Sequence, residues 1–169
     1  MSPEVRIIAF ALVAQVCMLT APPAIGQSPD ASIVVEGEVS KSLKLSVADL
    51  SALPVAEVKA KDKGGREHTF RGTPLSAILQ LAGVTMGKDL HGKNLMKYVI
   101  VEAVDAYHVV YSLPEIDPDF TSHVVLLATH VDGKELPKGE GPFRLINAFD
   151  KRPTRWVRDV KAIKVSMSR

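Results

Sequence analysis

The stretch GPFRLINAFDKRPTRWVRDV, Gly141 to Val160, gathers Arg144, Lys151, Arg152, Arg155 and Arg158 around Trp156, the only tryptophan of the chain. Within it the only acids are Asp150 and Asp159. Guanidinium groups fork onto phosphate or carboxylate oxygens, and an indole offers a flat apolar wall beside them. Such a set suits a small anion, above all a phosphate. Pro153 marks a helix start next to Lys151 and Arg152, where backbone N–H groups would add to the attraction. The same residues admit a plainer reading. On a helix, Arg152, Arg155 and Arg158 share one water-facing side and leave Trp156 in the core. Arg144 stands apart, between Phe143 and Leu145 in an apolar run. It is expected to be buried and ion-paired, with Glu102 of another apolar strand as one candidate partner.

Asp105 and Tyr107 are further candidates. Asp105 sits in a turn, where a carboxylate accepts backbone N–H bonds. Tyr107 either presents a phenol to a pocket or packs with its hydroxyl satisfied. The five histidines, His68, His91, His108, His123 and His130, form no His-x-His or His-x-x-x-His pattern. His123 and His130 would face opposite sides of an extended strand, so no metal site is expected. There is no G-x-S-x-G, and Gly139-x-Gly141 is not followed by a glycine-rich helix start. The only cysteine, Cys17, precedes the expected mature chain, which leaves no disulfide and no thiolate ligand or nucleophile.

These side chains must be positioned by a chain of 169 residues with 21 basic and 19 acidic side chains, a net charge of +2. That balance argues against a nucleic-acid binder. The apolar run Ile7–Leu19, followed by small residues at Ala24 and Gly26, has the outline of a secretory signal. Residues 1–26 are therefore expected to be a signal peptide, cleaved after Gly26 or Ala24. Residues 27–169 are expected to form one exported, periplasmic domain with no integral membrane segment. Within it SIVVEGEV reads as a strand. SVADLSAL reads as a short helix capped by Ser46, with Asp49 three residues on. AEVKAKDKGGREHTFRG reads as a hairpin about Gly64-Gly65. GTPLSAILQLAGV is the clearest helix, with Thr73 as cap, Pro74 at its first position and Gly83 as terminator. KYVIVEAVDAYHVVYSL holds two strands about Asp105-Ala106. HVVLLATHV, PFRLINAF and KAIKVSM are strands, and RPTRWVRDV is a short helix. The fold class is α+β: a β-rich single domain with a few short helices.

Four segments in order, FRGTPLSAILQLAGV, YVIVEAVDAYHVVYSLPEID, VVLLATHVDGKELPKGEGPFRLI and KRPTRWVRDVKAIKV, resemble the oxidoreductase molybdopterin-binding domain, the core of the sulfite oxidase family. The similarity runs from about Ile33 to Val165. It implies a β-rich α+β fold and a molybdopterin cofactor, a pterin bearing a dithiolene and a phosphate, with molybdenum also held by a protein cysteine. It places the basic residues around Trp156 in the segment that contacts the pterin and its phosphate, and makes Asp105, Tyr107 and Arg144 cofactor-site candidates. Three features depart from the family pattern. No cysteine occurs in the VKAKDKGGREHTF region, where the metal ligand belongs. The family's D-G-Y is Asp105-Ala106-Tyr107. The segment before the apolar run has one arginine, Arg6, and no Arg-Arg pair for export of a folded, cofactor-loaded protein.

Two functions from different classes follow. One is an exported binding module for a small anion, pterin phosphate or another, that keeps the fold without a cysteine-held molybdenum and serves a redox or signalling partner protein. The other is a molybdopterin-dependent oxidoreductase working by oxygen-atom or electron transfer. A structural envelope protein is a third reading.

Overall fold

The computed structural model of the protein describes residues 31–168; the expected signal segment, its cleavage site and Cys17 lie outside the described residues. The described chain folds into two five-stranded sheets. The first joins β1 (Ser32–Gly37), β2 (Leu43–Ser46), β5 (Lys97–Ala103), β6 (His108–Ser112) and β10 (Val160–Met167) in the order β2-β1-β10-β5-β6. The second runs β3 (Ala56–Lys61), β4 (Glu67–Pro74), β7 (Val125–Val131), β8 (Lys134–Glu135), and β9 (Arg144–Asn147) also pairs with β7. Only β1 and β10 pair in parallel among these strands. Two short helices, α1 (Val47–Ser51) and α2 (Leu75–Leu81), complete the α+β architecture.

Local sequence explains most of these elements. β5 alternates, with Val99, Val101 and Ala103 buried and their neighbours only partly so. The β3–β4 hairpin turns at Gly64-Gly65, where Gly65 takes φ +81 and Asp62 Oδ1 accepts the Arg66 N–H at 2.9 Å. α1 begins with a capping box. Ser46 Oγ accepts the Asp49 N–H at 3.2 Å, and Asp49 Oδ2 accepts the Ser46 N–H at 2.8 Å. α2 ends at Gly83, which takes φ +71. β2 is a strand that the sequence reading does not include.

Two expectations are corrected. Thr73 does not cap α2, because β4 continues through Pro74 and pairs Thr73 with Leu127 and Pro74 with Leu126. The buried Thr73 hydroxyl instead donates to the Leu50 carbonyl at 3.1 Å, and α2 starts at Leu75 without a side-chain cap. Pairing along a central strand outweighs one capping bond. The expected helix over Arg152–Val160 is a single 3-10 turn, Pro153–Arg155. Beyond it the Leu145 N–H donates to the Val157 carbonyl at 2.8 Å, and Val160 N–H to Phe143 at 2.9 Å, so the chain follows β9 in extended form.

The apolar side chains form two clusters. The larger lies between the first sheet, α2 and one face of β7 and β9, and includes Ile33, Ile78, Val101, Tyr111, Leu127, Leu145 and Ile163. The smaller, Ala60, Phe70, Leu126, Ala128, Ile146 and Trp156, covers the opposite face of β7 and β9. β7 is thus buried on both faces from Val125 to Thr129, which is why VVLLAT reads as a continuous apolar run. Burial of Phe70 and Trp156 contributes roughly 2–3 kcal/mol each.

Candidate functional site

Two members of the smaller cluster, Phe70 and Trp156, line a cavity of about 620 Å³. Trp156 packs edge-on against Phe70, with ring centroids 5.7 Å apart at 79°. The Trp156 indole N–H donates to the Asn147 carbonyl at 2.8 Å, which fixes the ring. Arg144 lies on the same face of β9 as Ile146, by the two-residue period of a strand. Its guanidinium carbon lies 5.4 Å from the Phe70 centroid and 5.6 Å from that of Trp156. The side chain is only 10% exposed. One Arg144 Nη bonds the Glu140 carboxylate, and Nε is buried with no acceptor. Burial lowers the basicity of Arg144, and Glu140 pulls in the opposite direction. Arg158 reaches the other Glu140 oxygen at 3.3 Å. One carboxylate thus holds two guanidinium groups.

The walls come from turns and loops of both sheets. The β3–β4 hairpin supplies Asp62, Lys63 and Gly64, with His68 on β4. His68 is clamped between carboxylates, Nδ1 2.7 Å from Asp132 and Nε2 3.4 Å from Asp62. The bond to Asp132 raises the His68 pKa above its ordinary value, against a smaller opposing effect of burial. The β5–β6 turn supplies Asp105 and Tyr107. Asp105 accepts the Tyr107 N–H at 3.0 Å, the turn role its position suggests. The Tyr107 hydroxyl donates to the Thr154 carbonyl and ties this turn to the 3-10 segment. Against Lys63, Arg144 and Arg158 the lining sets Asp62, Asp105, Asp132 and Glu140, so the cavity is amphoteric.

Four of the seven candidate residues, Arg144, Trp156, Asp105 and Tyr107, meet in this cavity, joined by Arg158. The other three do not. Lys151 and Arg152 are exposed and lie outside its lining. Arg155 lines a second hollow of about 380 Å³. There its Nε and Nη2 fork onto Asp150 at 3.0 and 2.6 Å, and Nη1 reaches Glu115 at 3.1 Å. It also lies 4.3 Å over the Tyr111 ring. Asp150 raises the pKa of Arg155 further above its already high ordinary value. With no helix here, the spacing of three that would align Arg152, Arg155 and Arg158 loses its meaning. The expected pair of Arg144 with Glu102 is also corrected. Glu102 bonds Lys164 across the first sheet at 3.4 Å, while Arg144 finds Glu140 four residues away. Lys63, Phe70, Asp132 and Glu140 enter the cavity without having been singled out from sequence, and His68, weighed only as a metal ligand, joins them. The hairpin turn was the available signal, because a turn tip facing a strand end can overhang it.

Comparison with curated protein sequences finds no match. Among solved structures, the chain is similar to the sulfane dehydrogenase SoxCD from Paracoccus pantotrophus, with a TM-score of 0.66 and 22% identity over 84% of this chain. That alignment spans 40% of the SoxCD chain, so the protein matches less than half of that relative's length. The likeness shows a common fold, the sulfite oxidase type. The family model described as "Oxidoreductase molybdopterin binding domain" matches residues 57–169, a stretch that includes every wall of the cavity. The chain belongs to the oxidoreductase molybdopterin-binding domain family.

Proposed function

We propose that the protein is an exported, single-domain binding module that holds a small anionic ligand, a pterin phosphate or a chemically similar anion, in the cavity over Trp156. The observation that carries this reading is Arg144: a nearly buried guanidinium over two aromatic rings, with an unpartnered Nε–H, on the lining of a ligand-sized hollow. Arg158 and Lys63 add positive charge, and Asp62, Asp105 and Asp132 are acceptors for hydrogen-bond donors on the same ligand. A pterin phosphate carries both amide and amine N–H donors and a phosphate, so it can use both kinds of lining group.

A molybdenum held by a protein thiolate does not fit. The hairpin where the family resemblance puts that ligand carries Asp62, Lys63 and His68, and no described residue is a cysteine. Among the described residues no group of three or more His, Cys, Asp or Glu is placed to hold a metal ion. No reaction step is therefore assigned, and an oxidoreductase role remains the alternative to be tested. A redox or signalling protein in the periplasm would be the partner of such a module.

The deciding experiment is metal and pterin analysis of the mature protein purified from its own periplasm, with calorimetric titration of inorganic phosphate. Bound pterin or phosphate with less than about a tenth of a molybdenum per chain supports the binding module. A stoichiometric molybdenum content would overturn it in favour of the oxidoreductase. Replacing Arg144 and Arg158 by Ala is expected to weaken phosphate binding by about 2–4 kcal/mol in total. Unchanged affinity in that double variant would rule the cavity out.

A further inference from the structure

We infer that Glu140 is a built-in competitor for the ligand's anionic group, so that the cavity selects a phosphate-type dianion over a carboxylate. This inference rests on the anion-binding reading above and adds a residue that sets specificity.

Arg144 and Arg158 approach different oxygens of the one Glu140 carboxylate. An incoming anion that takes the same N–H groups on both guanidinium groups must take the place of that carboxylate. Glu140 is placed to leave. Its side chain is 24% exposed, against 10% for Arg144, and it stands between Gly139 and Gly141. Gly139 takes φ +83 and has open space around it, and the local backbone is held by Glu140 and Gly141 N–H bonds to the Pro137 carbonyl at 3.0 and 3.3 Å. Rotation about the Glu140 side-chain torsions alone moves the carboxylate, with the backbone bonds kept.

Charge then decides what can replace it. A monocarboxylate ligand would exchange one carboxylate for another on the same two forks. It would gain nothing there and still lose translational freedom. A phosphate dianion matches the two positive charges, and its additional oxygen can accept from the unpartnered Arg144 Nε–H, which Glu140 leaves unused.

The test is calorimetric titration of the full mature chain with inorganic phosphate and, separately, acetate, comparing wild type with Glu140→Gln. Wild type is expected to bind phosphate and not acetate. The variant is expected to bind phosphate about tenfold more tightly, since a like charge is removed, and to gain measurable acetate binding. Phosphate affinity that is unchanged or reduced in the variant would show that Glu140 orients the arginines, leaving anion binding intact and this inference overturned. Absence of phosphate binding in both folded proteins would remove the anion site itself. Should Glu140→Gln fail to fold, Glu140→Asp keeps the charge but shortens its reach. It is then expected to tighten phosphate binding, and the same unchanged or weaker result would overturn the inference.

Discussion

Glu140 stands one residue ahead of the basic stretch and directs two of its five cations. Neither of the acids inside the stretch does this: Asp150 takes Arg155, and Asp159 pairs with none of the five within ion-pair distance. Single residues elsewhere carry testable strain and charge. Ala106 takes φ +69 in the turn where the family pattern has glycine. That conformation disfavours a side chain by about 1 kcal/mol. Ala106→Gly should therefore raise the unfolding free energy by about that amount in urea titrations, and a loss of stability would refute the strain argument. His68 is expected to make stability depend on pH. Its two carboxylate neighbours, Asp132 first, favour the imidazolium, so the folded pKa lies above the unfolded value near 6.5. The contribution is complete below about pH 6.5 and is lost as pH rises through the higher folded pKa. Thermal melts of wild type against His68→Gln should show a gap that narrows with rising pH. A gap that widens would mean the carboxylates do not hold a charged ring.

At the scale of elements, Arg155 is a clasp. It joins the Pro153–Arg155 turn to Asp150 and to Glu115 of the Leu113–Glu115 turn, with Tyr111 beneath. The side chain is about one-third exposed, so solvent screens part of the interaction. Arg155→Ala is expected to cost about 1–2 kcal/mol of stability. Phosphate affinity at the Trp156 cavity should stay within about twofold, because Arg155 faces the other hollow. A large loss of affinity at full stability would place Arg155 in the ligand site after all. Short-range signals served well for several elements. The two hairpins follow from turn residues between alternating runs, and α1 from its Ser46–Asp49 box. Where prediction failed, at Thr73 and over Arg152–Val160, a local preference competed with strand pairing or chain-to-chain bonds from distant segments. Such partners leave no local trace.

For the whole molecule, β7 couples the two apolar clusters, since its successive residues Leu126 and Leu127 face opposite sides and belong to different ones. The clusters should therefore unfold together. Fluorescence of Trp156, which reports the smaller cluster, and far-ultraviolet circular dichroism, which reports both sheets, are expected to give coincident urea transitions. An earlier fluorescence change would show that the cavity floor opens independently of the main core.

The α+β class, the hairpins and the family could be read from the chain alone, because each depends on apolar alternation, turn residues or motif order that are linear properties. The candidate pocket could be read in part: Arg144, Trp156, Asp105 and Tyr107 were visible as types. Which cations share a hollow, and which acids confront them, came from folding. Arg155 and Trp156 are adjacent in sequence, yet they line different hollows, because the chain leaves the 3-10 turn in extended form at Trp156. Residues as distant as Asp62, Asp105 and Glu140 converge because turns from both sheets overhang one aromatic floor.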